Sequence, residues 1–333
     1  MKGGANLKYV KFGSTSIETS AIGLGTWAIG GWAWGGTDEK NLINAVNGAL
    51  ESGVNLIDTA PMYGKGLSEE IIGKAIKGKR DKVVLATKCG LIWHTKAGVY
   101  FFDYESTGEK VYKYLKKESI EYELNNSLKR LGTDYIDLYQ THWQDSTTPI
   151  EEIMEALLTL KDKGKIRAIG VCNASFEELK EYERYGKFDT NQGKYSLLDR
   201  NIENEIMPWC IGKNISIIAY GSLSKGMLTG KLRADRKFKN GDHRIGKKRF
   251  SVYNIAKTND LIVKFLKPVA DKHNCSIGNI ATAWLLKNPR VIALCGARNE
   301  KQAIENAAGA DIKLDESDLE EIKSFINNYE ETD

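Results

Sequence analysis

Short apolar runs alternate along the chain with longer stretches whose apolar residues recur at helical spacing. The runs fall at residues 21–25, 55–58, 83–88, 136–140, 168–171, 189–192, 216–220 and 291–295. Their length and apolar content predict buried strands. Between them, residues 38–51, 68–77, 117–131, 150–163, 175–185 and 202–211 carry the pattern of helices with one apolar face. Two further helical patterns, 260–272 and 277–287, follow a long polar loop after the seventh run, and Pro289 closes the second. Ser68 and Ser175 stand before acidic first turns as N-caps, and Gly53, Gly132 and Gly164 stand where helices should stop.

Eight strands, each followed by a crossover helix with no break in composition, predict an α/β fold: a closed parallel (β/α)8 TIM barrel rather than a doubly wound open sheet. Residues 9–20 alternate around Gly13-Ser14 as a hairpin, which is expected to plug the bottom of the barrel. The expectation is one domain over 1–333, with hairpin 9–20, barrel 21–307 and a C-terminal tail 308–333.

Composition narrows the function. The chain has 333 residues, and such barrels run past about 250 residues as one unit. The five cysteines (Cys89, Cys172, Cys210, Cys275, Cys295) are odd in number and form no CxxC pair. That pattern argues against a metal site or a disulfide framework and for a cytoplasmic protein. No stretch of about 18 apolar residues offers a membrane span, and Met1-Lys2-Gly3-Gly4-Ala5 opens no signal peptide. The 48 basic and 44 acidic residues nearly cancel, although residues 231–249 interleave nine Lys or Arg with two Asp. One such loop makes a poor nucleic-acid footprint and reads as anion-holding or merely solvated. The expected partner is a small molecule, with no nucleic acid and no membrane, and the expected state is a monomer or weak homo-oligomer.

Four polar residues stand where apolar strands end. Asp58 closes the second run, Lys88 the third, His142 follows the fourth, and Tyr63 lies on the loop after Asp58. Working residues of such barrels sit at the carboxyl ends of strands, and neighbouring strands are about 4.8 Å apart, so the four can share one mouth. A tyrosine with a free pKa near 10 is a poor acid. An ammonium beside it lowers that pKa and makes the phenol a usable proton donor. Lys88 is placed to do so, Asp58 to hold Lys88, and His142 to hydrogen-bond a substrate oxygen. The set is a proton-donating oxyanion site without an activated nucleophile, which suits hydride addition to a carbonyl.

These residues carry a family resemblance. Asn55-Leu56-Ile57-Asp58-Thr59-Ala60-Pro61-Met62-Tyr63-Gly64 followed by Ser68-Glu69-Glu70 resembles the signature of the aldo-keto reductases, within them most like the bacterial general-stress and inositol-operon reductases. Leu128-Lys129-Arg130-Leu131-Gly132-Thr133-Asp134, Gly164-Lys165-Ile166-Arg167 and Tyr195-Ser196-Leu197-Leu198 continue the likeness, which runs from Ile22 to about Asn306. It implies a (β/α)8 barrel, NADPH as preferred cofactor with NADH also possible, and a catalytic set of Asp58, Tyr63, Lys88 and His142 with Tyr63 as general acid. It also implies that Gly25, Thr26, Trp27 and Asp58 line the nicotinamide side, and that Asn173 and Gln192 bind the carboxamide while Tyr220 stacks on the ring. The pyrophosphate falls to Gly221, Ser222, Leu223, Lys225 and Gly226. The adenosine end falls to Gly296, Ala297, Arg298, Gln302, Glu305 and Asn306, with Arg298 on a 2′-phosphate. Cys172 replaces the usual serine beside Asn173 and is expected at the carboxamide.

Gly23-Leu24-Gly25-Thr26-Trp27-Ala28 mimics a dinucleotide-binding fingerprint, but Gly30, Gly31, Gly35 and Gly36 follow where a helix would have to start. The substrate pocket is assigned to Trp27, Trp32, Trp93 and Trp143, with Trp34, Tyr100, Phe101, Phe102 and Tyr104 nearby. Such a lining suits an apolar or aromatic carbonyl compound. No Arg or Lys cluster is expected at this mouth, which favours a neutral over a phosphorylated substrate. The rival reading is a cofactor-sensing regulatory subunit on the same barrel; the presence of both Tyr63 and Lys88 favours the enzyme.

Overall fold

The computed structural model describes residues 7–31, 38–104 and 107–332. A hairpin of β1 (Tyr9–Lys11) and β2 (Glu18–Ser20) opens it. Its tip is pressed against the strand starts of the barrel. The Gly13 nitrogen donates to Ser216 Oγ at 2.9 Å, and a Cβ on Gly13 (φ +49°) would lie 2.8 Å from the Asp189 carbonyl oxygen. Phe12 beside it is wholly buried, so the hairpin closes the bottom of the barrel.

The first three barrel strands are β3 (Ile22–Gly25), β4 (Leu56–Asp58) and β5 (Val84–Cys89), with α1 (Glu39–Glu51) and α2 (Leu67–Ile76) between them. After β5 comes an excursion: β6 (Leu91–Ile92), β7 (Val99–Tyr104) and β8 (Glu109–Lys113) form an antiparallel sheet in the order β6-β8-β7. Then follow α3 (Lys117–Leu131), β9 (Ile136–Thr141), α4 (Ile150–Asp162), β10 (Ile166–Cys172), α5 (Phe176–Tyr185), β11 (Thr190–Lys194), α6 (Ile206–Gly212) and β12 (Ser216–Tyr220). A long loop leads into α7 (Val252–Leu261), a π-helical turn, α8 (Lys267–Lys272) and α9 (Ile277–Leu285), and β13 (Val291–Gly296) pairs with β3 to close the barrel. The eight barrel strands are parallel throughout.

Differences from the sequence reading have local causes. β10 begins two residues before its apolar run, because Arg167 at its start turns outward to Asp137 at 2.6 Å. Ser68 is not an N-cap: it lies inside α2 and bonds Thr26 Oγ1 and Thr59 Oγ1, both at 2.9 Å, joining the ends of β3 and β4. Ser175 does cap α5, in a reciprocal box with Glu178. Gly53, Gly132 and Gly164 all have φ above +60° at helix ends. The helix foreseen at 260–272 starts at Val252, where the Ser251 hydroxyl accepts from the Asn254 nitrogen. α10 (Glu300–Ala307) follows β13 at the end of the barrel segment, and the segment read as a tail holds α11 (Glu316–Asn328), which buries Ile322 and Phe325. Among the described residues no helix is long and apolar enough to cross a membrane.

Candidate active site

Strand register brings the four polar residues together. Asp58 pairs with Ala86 across β4 and β5, and Lys88 pairs with Gln140 across β5 and β9, so each side chain emerges at the same end of the barrel. Lys88 is wholly buried, and its ammonium donates to Asp58 Oδ2 at 2.7 Å, the Thr59 carbonyl at 2.9 Å and the Tyr63 hydroxyl at 3.3 Å. An ammonium has three N–H groups, and all three are used; that is what permits a charge at this depth. Tyr63 is held from behind by backbone. A Cβ on Gly30 would clash with the Tyr63 carbonyl group and lie 2.8 Å from the Gly64 nitrogen, so a side chain there would displace the phenol. The His142 ring stands edge-on to the Tyr63 ring at 5.8 Å, and its buried Nδ1 has no hydrogen-bond partner among the described residues.

The electrostatics correct one expectation. Lys88 does pull the Tyr63 pKa down, but burial outweighs it and the phenol is pushed up to about 12. The proton is therefore held throughout the physiological range, with the Lys88 ammonium beside the oxygen that carries it. Burial alone would lower Lys88, but the Asp58 carboxylate outweighs it and the ammonium is stabilised. Burial, then repulsion from Lys88, holds His142 well below the usual imidazole value, so it is neutral with one N–H to donate.

Tyr63, Asp58 and His142 open onto a cavity of about 970 Å³. Gly25, Thr26, Trp27, Asn173, Gln192 and Tyr220 line it, as do Gly221, Ser222, Leu223, Lys225 and Gly226 after β12 and Gly296, Arg298, Gln302, Glu305 and Asn306 after β13. The Asn173 side chain bridges the His142 carbonyl (2.9 Å) and the Tyr220 hydroxyl (2.8 Å), which fixes the Tyr220 ring as one wall. Two of the expected residues lie off this lining. Ala297 is buried outside the lining, and Cys172 is wholly buried beneath it with its thiol toward Gln140 Oε1 at 3.6 Å. Cys172 pairs with Gln192 in register, but its side chain points into the barrel and not to the mouth.

Trp27 and Trp143 line the cavity together with Met62, Leu91, Phe101 and Phe102. Trp93 does not; it packs into a small cluster with Met62, Leu91, Tyr104 and Val111 under the β6–β8 sheet. Trp32 and Trp34 lie outside the described residues. Cations nonetheless share the cavity with the aromatics that line it. The loop at 231–249 folds back over the barrel, and Lys231, Arg236, Arg244, Lys247, Lys248 and Arg249 line the same cavity, joined by Lys194. Arg249 reaches Asp199 at 2.7 Å, Ser224 at 3.0 Å and Glu331, tying this loop to the turn after β12 and to the chain's last residues. The charge bias of the loop was the available signal for these cations; nothing in the sequence marked Glu331.

Lys225 sits in a left-handed turn, with its ammonium 5.3 Å from the Trp27 ring centroid. Among the described residues it forms no ion pair. Burial, with repulsion from Lys194, Lys247 and Arg249, lowers it to about 8. A half-buried cation among other cations fits an anionic group such as a pyrophosphate.

The model of the aldo/keto reductase family matches residues 21–327. The chain is similar to the NADH-specific methylglyoxal reductase of Escherichia coli, 42% identical over 94% of this chain and 96% of that one. Among solved structures it is similar to the glycerol dehydrogenase AKR11B4 from Gluconobacter oxydans, 36% identical with a TM-score of 0.85 over 95% of this chain and 94% of that one. It is also similar to an aldo/keto reductase from Klebsiella pneumoniae in complex with NADP and acetate, 30% identical with a TM-score of 0.71 over 96% and 95%.

Proposed function

The chain belongs to the aldo/keto reductase family, and from that premise we propose that it reduces aldehydes or ketones to alcohols, taking hydride from NADPH by preference, with Tyr63 giving the proton. The observation that carries this reading is the continuous chain Asp58–Lys88–Tyr63 ending in a protonated phenol on the cavity floor. When bound, the nicotinamide cofactor supplies the hydride. The chain's own residues do the rest. Tyr63 releases its proton to the carbonyl oxygen, Lys88 stabilises the phenolate left behind, and Asp58 keeps the ammonium in place. The neutral His142 donates a hydrogen bond to the same oxygen as charge builds on it.

The cationic and glycine-rich side of the cavity fits the cofactor's phosphates, and the aromatic side fits a neutral carbonyl compound. Arg298 at the adenosine end favours a 2′-phosphate. A relative specific for NADH makes the cofactor comparison part of the test.

The experiment is a panel of aldehydes and ketones with NADPH and with NADH, followed by loss of the reduced cofactor's absorbance. Turnover of short aldehydes with a lower KM for NADPH is expected; no turnover with either cofactor would overturn the reading.

Cofactor binding should also depend on pH through Lys225. With its pKa lowered to about 8 in the free protein, the ammonium is charged below that pH and lost above it. A bound pyrophosphate favours the charged form, so the Kd should rise by about eightfold from about pH 7.5 to 9. Lys225→Met should flatten that slope, and fluorescence titration reads both. A slope unchanged in the variant would remove Lys225 from the phosphate site.

A further inference from the structure

Beneath the proton-donating pair lies a second layer that the reaction scheme does not use. Lys88 takes one oxygen of Asp58; the other, Oδ1, accepts from Gln140 Nε2 at 3.0 Å and Gln192 Nε2 at 2.9 Å. Gln192 Nε2 also donates to Gln140 Oε1 at 3.2 Å, and the Cys172 thiol lies 3.6 Å from that same oxygen. Gln140 and Asp58 are almost wholly buried, and Gln192 is 3% exposed yet lines the cavity.

The hydrogen positions follow from this network. Gln140 Oε1 receives donors from Gln192 and Cys172, so its amide nitrogen must face Asp58. Gln192 spends both N–H groups on Asp58 and Gln140, so the polar group it can offer at the cavity it lines is its Oε1, an acceptor. An ionised carboxylate out of water needs its second oxygen bonded as well as its first. The sequence offered Gln140 only as the end of a strand, with no marker of its role.

We propose that Gln140 is a positioning residue for proton transfer: it holds Asp58 and Gln192 in one clamp, so that Lys88 and Tyr63 stay aligned and Gln192 presents an acceptor to the cavity. The proposal rests on the carbonyl-reduction reading above. The groups facing Asp58 are Lys88 from β5, Tyr63 from the loop after β4, and Gln140, Gln192 and Cys172 from β9, β11 and β10. His142 lies beyond Tyr63. Among the described residues none of these neighbours but Lys88 is a cation.

The test compares Gln140→Leu and Gln140→Glu with the unsubstituted chain. Gln140→Leu should lower kcat by about 10- to 100-fold, the rate equivalent of one hydrogen bond to a charged group. The KM for the carbonyl compound should change by less than about threefold, since Gln140 does not line the cavity, while the cofactor Kd should rise by about two- to fivefold, since Gln192 loses one of its anchors. Gln140→Glu is the conservative variant with a signature that a merely structural role would not give. Its carboxyl can donate to Asp58 when protonated and repels it when ionised, so its kcat should approach that of the unsubstituted chain near about pH 6 and fall about tenfold by about pH 8. If Gln140→Leu does not fold, this pH profile decides alone. A profile parallel to that of the unsubstituted chain would overturn the proposal.

A stability measurement separates this from failure of the reduction reading. In a double-mutant cycle with Asp58→Asn, the urea midpoint shifts should be non-additive if the clamp exists. Additive shifts would overturn the clamp. An inactive unsubstituted chain that still shows coupling would overturn only the reduction reading.

Discussion

Tyr63→Phe should lower kcat for aldehyde reduction by about 10²–10⁴, the usual weight of a positioned general acid. The variant loses one oxygen, and the Phe ring keeps the edge-on contact with His142. Lys88 loses one of its three acceptors but keeps Asp58 and the Thr59 carbonyl. Folding should therefore be nearly unchanged, and the cofactor Kd should stay within about twofold. Stopped-flow or steady-state reduction of a single aldehyde, with a parallel cofactor titration, checks both. A variant that turns over aldehyde at close to the normal rate would show that the proton comes from elsewhere.

Lys88→Met should do two kinds of damage. It leaves the Asp58 carboxylate buried with amide donors alone, and breaking a buried pair from one side costs about 3–5 kcal/mol. It also removes the cation that stabilises the phenolate, so kcat should fall by about 10²–10³. Lys88→Arg should not restore activity. Three hydrogen bonds diverge from a single nitrogen to Asp58, Thr59 and Tyr63, and a planar guanidinium cannot reproduce that arrangement. Urea unfolding and turnover read the two effects separately. Full stability together with retained turnover would mean that the ion pair neither supports the barrel nor serves the reaction.

The Tyr63 pKa shows where sequence reasoning stops. The neighbour that pulls the phenol down was legible, because Lys88 closes the strand next to Asp58. The burial that pushes it up to about 12 depends on how much water the Gly30–Gly64 contact and the β6–β8 sheet exclude. The sheet itself was hidden in a loop rich in aromatics. Its hairpin turns near Gly108, but a register shift between Tyr100 and Phe102 breaks the alternation that would mark its strands, and it lacks the spacing of the barrel strands. Trp93 and Trp143 pack against the same small apolar cluster, yet only Trp143 also lines the cavity.

The sequence by itself determined the closed barrel, through eight apolar runs with crossover helices, and the residues that end at its mouth, because a strand fixes where its last side chain must emerge. Which face each of those side chains takes was decided only by the folded barrel. Cys172 and Asn173 are adjacent in the chain, but Cys172 closes β10 with its thiol toward Gln140, whereas Asn173 leaves the strand in a left-handed conformation (φ +52°) and its amide reaches His142 and Tyr220. The cations of residues 231–249 joined the site only when their loop folded back across the opening, bringing Arg249 to Ser224 and Glu331. Local pattern carries period and element type; long-range closure carries burial, and burial sets the chemistry of Tyr63, Lys88 and Gln140.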